Sequence, residues 1–117
     1  MKKIYHLETC KTCQKILKEL EPLDGIELRE IKSKGITSDE LEEMRALTDS
    51  YEDLFSRRAM LFRQRGLNNQ ELGDDDYKNL ILEHYTFLKR PVVIVDNQIF
   101  IGNAKKQVEG AKTALHR

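Results

Sequence analysis

The sequence predicts an α/β chain: one small sheet assembled from the two ends of the chain, flanked by helices, with a helical segment inserted between them. Three observations predict it. β-rich runs occur near the start and, more strongly, near the end, where VVIVD and QIFIG follow Pro91. Each sheet-forming end carries a helix-period stretch. The middle of the chain holds three further helix-period stretches before the second set of strands.

Lys3 to His6 is the first strand, rich in Ile and Tyr. In KTCQKILKELEPL, Cys13, Ile16, Leu17 and Leu20 recur at helical spacing, and Pro22 helps stop the helix. Ile26, Leu28 and Ile31 suggest a second strand, and Lys32 to Gly35 a turn. Thr37 and Glu40 form a capping-box pattern ahead of Leu41, Met44 and Leu47. Tyr51 to Gly66 reads as one further helix, with Arg58 and Arg65 beside Leu54, Leu61 and Phe62. The next helix starts near Asp74, where three aspartates suit the positive helix end, and runs through Tyr77, Leu80, Ile81 and Tyr85. Val92 to Val95 and Gln98 to Ile101 form a hairpin about Asp96-Asn97. Ala104 to Leu115 closes as a helix. The expected division is a single domain over 1–117, with approximately 1–35 and 88–117 building the sheet and approximately 36–87 inserted.

With 117 residues the chain can bury one core. Twenty basic and twenty acidic residues give zero net charge, whereas a general polyanion binder carries a basic excess; direct nucleic-acid binding is therefore not expected. A local basic cluster for a small anion stays open. The longest apolar runs are only a few residues, so no membrane span is expected, and MKKIYHLETC lacks the apolar stretch of a secretory signal. A cytoplasmic location, with the cysteines mostly reduced, is the expectation.

The chemistry is concentrated in HLETCKTCQKIL, which holds both cysteines. Cys10 falls where a strand gives way to a helix, and unpaired amides and the positive helix end favour its thiolate there. Cys13 lies one turn on, where it could resolve a disulfide or adduct formed on Cys10. A packing role competes for Cys13, because it shares the stripe of Ile16, Leu17 and Leu20. A zinc site is disfavoured, since His6, His84 and His116 have no metal-motif spacing to the cysteines and the last two are expected to face solvent. Arg57, Arg58, Arg63, Arg65 and Arg90 are the anion-binding candidates; most read as a solvated face. Arg90 stands out by preceding Pro91 and a buried-looking strand. From the residues alone the Arg90–Pro91 bond is expected to be trans.

Cys10-Lys11-Thr12-Cys13, the inserted helical segment, SRRAMLFRQRG and FLKRPVVIVDNQIFIG together resemble the glutaredoxin-like arsenate reductase and Spx superfamily over nearly the whole chain. The resemblance implies a thioredoxin-like mixed sheet with flanking helices and an inserted helical subdomain. It implies Cys10 as nucleophile, Cys13 as its redox partner, Arg58 (the match to a helical arginine) and Arg90 as oxyanion ligands, and Thr12 and Pro91 as pocket-shaping residues, Pro91 standing at the family's cis proline. No bound cofactor is implied; glutathione, glutaredoxin or another thiol reductant would supply electrons to a Cys10 thiolate acting on an oxyanion or disulfide. One departure weakens arsenate chemistry: Gly102 and Asn103 stand where arsenate-reducing members carry Arg-Pro. The alternative implied is an Spx-like redox-sensitive regulator that binds the C-terminal domain of the RNA polymerase α subunit.

Overall fold

A computed structural model describes all residues, Met1–Arg117. The chain divides into two compact units, one of Met1–Lys34 with Arg90–Arg117 and one of Gly35–Lys89. No helix is long and apolar enough to cross a membrane.

The first unit is a four-stranded mixed sheet with two helices. Strand β1 (Lys2–His6) leads to helix α1 (Lys11–Glu19) and strand β2 (Glu27–Glu30); the hairpin strands β3 (Val92–Val95) and β4 (Gln98–Ile101) and the last helix, α5 (Lys105–Leu115), complete it. The strand order is β2-β1-β3-β4. β1 is parallel to β2, with Ile4 opposite Leu28, because α1 carries the chain back to the same end of the sheet. β1 is antiparallel to β3, with Ile4 opposite Val93, and the hairpin extends the sheet through Ile94 opposite Ile99. This is the expected thioredoxin-like arrangement. Ile4, Ile16, Leu20, Val93, Val108 and Leu115 meet in one aliphatic core between sheet and helices. All four residues of β3 are buried, which explains a continuous VVIV in place of alternation.

Asp96 takes φ 53° in the hairpin turn, a conformation aspartate tolerates better than most residues. β2 is shorter than the Ile26–Ile31 pattern suggested. Its Leu28 is 46% exposed at the sheet edge, while Ile31 is buried just beyond the strand and its N–H donates to the His6 carbonyl at 3.0 Å. At the other edge α5 passes so close to β4 that a Cβ on Gly110 would lie 2.8 Å from the Phe100 ring. Both prolines follow cis bonds, Glu21–Pro22 and Arg90–Pro91. The trans expectation read from the residues alone for Pro91 is thus corrected in favour of the family pattern.

In the second unit, helix α2 (Ser38–Arg45) has the predicted capping box: Thr37 Oγ1 accepts from the Glu40 N–H at 3.1 Å, and the Glu40 carboxylate accepts from the Thr37 N–H at 3.0 Å. The single helix expected over Tyr51–Gly66 does not form. A 3₁₀ turn at Glu52–Leu54 is followed by extended backbone at Phe55, and helix α3 is only Met60–Gln64. The cause is tertiary. Phe55 bridges to Leu88, the Ser56 N–H donates to the Phe87 carbonyl at 2.7 Å, and the Lys89 N–H donates to the Leu54 carbonyl at 2.8 Å. This pins the Phe55 ring, fully buried, 4.8 Å from Tyr77, 5.4 Å from Phe87 and 5.8 Å from Phe62.

Helix α4 (Asp74–Glu83) begins as predicted, with the Asp76 carboxylate accepting from the Gly73 N–H at 2.8 Å. It stops before Tyr85, which opens a 3₁₀ turn, Tyr85–Phe87. His84 does not simply face solvent: its ring stacks on Tyr85 at 4.7 Å and its Nδ1 lies 2.8 Å from Thr86 Oγ1. His116 is exposed as expected, although its Nε2–H donates to the Leu20 carbonyl at 2.6 Å.

Candidate thiol site

The segment between β1 and α1 is fastened before it reaches the cysteines. The Cys10 N–H donates to the Leu7 carbonyl at 3.0 Å, and the Gln14 side-chain amide donates to the Glu8 carbonyl at 2.7 Å. Glu30, at the end of β2, accepts from the Glu8 N–H at 3.0 Å and from the Lys32 and Ser33 N–H groups at 2.8 and 3.1 Å. Burial alone would raise the Glu30 pKa, but these amides, followed by His6, hold its carboxyl below the usual carboxylate range. Neither Gln14 nor Glu30 stands out in the sequence. The available signal was a carboxylate at a strand end followed, after Ile31, by a Lys-Ser-Lys-Gly turn.

Cys10 is the N-cap of α1, with extended backbone and its carbonyl accepting from the Gln14 N–H at 3.0 Å. Its sulfur makes no regular cap bond. Burial pushes the thiol pKa up, yet the Cys13 amide, the Cys13 thiol, the Arg90 side chain and the Thr12 amide outweigh it, and the pKa falls below its ordinary value. Cys13, one turn inward, is 1% exposed. Burial is the main cause that pushes its pKa up to about 11, the Leu7 backbone pulls the other way, and the charge of Cys10 adds to the rise. Both thiols are free. The pair is therefore unequal: a partly exposed group that ionises early and a buried one that holds its proton.

Cys10, Thr12, Cys13 and Arg90 converge at one place. Pro91 follows directly, its carbonyl accepting from the Gly102 N–H at 2.9 Å, so the hairpin end is tied behind Arg90. Thr12 also lines a cavity of about 410 Å³ with Lys15, Glu19, Asn103 and Lys105, between α1 and the start of α5. Asn103, at the position where the resemblance implies Arg-Pro in arsenate-reducing members, thus lines the same cavity as Thr12. Arg58 belongs to the Gly35–Lys89 unit. It is not on a helix, as the resemblance implied, but in the turn before α3, where it lines a different cavity with Arg57 and Arg63. The break at Phe55 put it there.

The ArsC family model matches residues 5–111. The chain belongs to the ArsC family. Among curated ArsC-family relatives, the global transcriptional regulator Spx 2 of Bacillus cereus is 30% identical over 108 residues, covering 90% of this chain and 82% of that protein. Among solved structures, an arsenate reductase from Vibrio cholerae superposes with a TM-score of 0.72 at 23% identity, over 94% of this chain and 96% of its own, which shows the shared fold. A protein from Staphylococcus aureus COL superposes with a TM-score of 0.72 at 27% identity, over 95% and 98%. This ArsC-family chain is thus a member of the ArsC/Spx thiol-redox superfamily, with its cysteine pair in the expected position.

Proposed function

We propose that the chain is a redox-responsive regulator in which Cys10 and Cys13 form the switch and a protein is the target, the C-terminal domain of the RNA polymerase α subunit. The observation that carries this reading is the inequality of the two thiols. Cys10 is partly exposed with a lowered pKa; Cys13 is buried, one turn away, with a pKa of about 11. Such a pair suits sensing. Hydrogen peroxide would oxidise the Cys10 thiolate: its O–O bond breaks, an S–O bond forms, and the hydroxide released leaves as water once protonated. The Cys13 sulfur would then attack the Cys10 sulfenic acid, forming the S–S bond, with loss of its proton and release of a second water. Two equivalents of a thiol such as glutathione, or the dithiol of glutaredoxin, would return both sulfurs to thiols by exchange. The names of the curated relatives and the missing Arg-Pro at Gly102-Asn103 favour this reading over arsenate turnover. The test is retention of the chain by the immobilised α C-terminal domain after peroxide and after dithiothreitol. Retention that differs between the two states, and loses that difference in Cys10→Ser, is expected; retention absent in both states would overturn the reading.

One observation favours a second reading, arsenate reduction with glutathione and glutaredoxin as donors. The Arg90 side chain lowers the Cys10 pKa, so an oxyanion approaching the thiolate would meet its charge. Arsenate turnover above that of Cys10→Ser would establish it.

A further inference from the structure

We propose that the cavity formed by Arg57, Arg58, Met60 and Arg63 is a docking pocket for an acidic protein segment that carries one apolar side chain. It lies wholly within the Gly35–Lys89 unit and involves neither cysteine, so it is independent of the redox reading. The cavity is about 500 Å³, closed out by Ala59 and Gln64, and no acidic residue lines it. Three arginines line one concavity, and only Arg57 is paired with a carboxylate, that of Glu52, in a chain whose overall charge is zero.

The three are not equivalent. Arg57 is already held: it lies 2.9 Å from the Tyr77 hydroxyl and 2.5 Å from Glu52, and its guanidinium sits 5.5 Å over the Tyr77 ring. It forms a fixed wall with much of its charge answered. The guanidinium groups of Arg58 and Arg63 make no ion pair or hydrogen bond, and both side chains are exposed. Each offers a planar fork that matches a carboxylate. Between them stands Met60, 75% exposed, the most exposed large apolar residue of the chain. Burying a flexible thioether against a partner's apolar side chain is favourable and tolerant of shape. Two cations without acids, Arg58 and Arg63, around an exposed methionine complement a segment with acids around one apolar residue.

A nucleic acid fits the same surface less well. No aromatic side chain lines the cavity to stack a base, and the balanced net charge supplies no general polyanion field.

The test is fluorescence anisotropy with a labelled peptide in which one leucine is flanked by aspartates, titrated with the full chain. Three controls accompany it: the same peptide with the leucine replaced by serine, the same peptide with lysines for aspartates, and a labelled DNA duplex. Saturable binding of the first probe alone is expected. Arg58→Glu combined with Arg63→Glu should weaken it about tenfold or more. Met60→Ala should weaken it about tenfold, the low end of what burying a methionine side chain is worth. Absence of saturable binding, equal binding of the serine peptide, or binding of the duplex through Arg58 and Arg63 would each overturn the proposal. The peptide controls on the unaltered protein decide the matter even if a variant fails to fold.

Discussion

The two units are each held together by different physics. The sheet unit packs aliphatic side chains, Ile4, Ile16, Leu20 and Val93 among them, between regular strands and helices. The Gly35–Lys89 unit is organised around Phe55, whose ring meets Phe62, Tyr77 and Phe87, and its chain runs through three 3₁₀ turns between short helices. The first arrangement supplies rigid, evenly spaced positions, and the thiols sit on it, at the mouth of a helix and beside a hairpin end. The second supplies a surface in which irregular backbone presents Arg58 and Met60 outward while the rings beneath hold shape. The contrast separates where the thiol pair is placed from where the proposed docking surface is placed.

The largest effect that could break this contrast is on stability. Phe55→Ala should destabilise the protein by about 3–5 kcal/mol, read from urea unfolding, because one ring anchors the cluster. A value near ~1 kcal/mol would show that the aromatic cluster is not the organising core.

The thiols come next. Alkylation by iodoacetamide at neutral pH should modify Cys10 more than about a hundredfold faster than Cys13, a ratio set by the thiolate fractions and enlarged by burial. The rate at Cys10 should rise with pH about a midpoint below the ordinary thiol value of 9.0, and that at Cys13 about a midpoint of about 11. Arg90→Ala should move the Cys10 midpoint upward, since a favourable partner of the thiolate is lost. An unmoved midpoint would remove Arg90 from the site.

Smaller still, Thr37→Ala should cost about 1 kcal/mol by opening the capping box at the start of α2. The Glu30 carboxyl provides a weak pH dependence. Its folded pKa is lowered, so its contribution is present above the unfolded carboxylate pKa and is lost as pH falls through the folded value. Glu30→Gln should flatten the acid limb of the stability profile.

Legibility followed the same divide. Strand and helix periods in the sheet unit depend on local alternation and on one buried face, so β1, α1, the hairpin and α5 could be read within a residue or so. The Cys10–Cys13 asymmetry was also readable, because a helix start and a one-turn spacing are local facts. Phe55 was not. Its neighbours in sequence have helical spacing, and only its pairing with Leu88, far along the chain, makes it extended. That non-local bond moved Arg58 off its expected helix. The carboxylate of Glu30 reaching back to Glu8 was hidden for the same reason.

Gly110 has a consequence of another kind. The atom it lacks is the room that the Phe100 ring occupies, so the two positions constrain one another across the gap between helix and strand. Gly110→Ala alone gains about 1 kcal/mol of helix propensity but overpacks the ring at a cost of about 1–3 kcal/mol, a small net loss. Paired with Phe100→Leu, the same alanine should be tolerated or welcome. Substitutions that accumulate in related chains should therefore arrive at these two sites together, the size of one side chain recording the absence of the other.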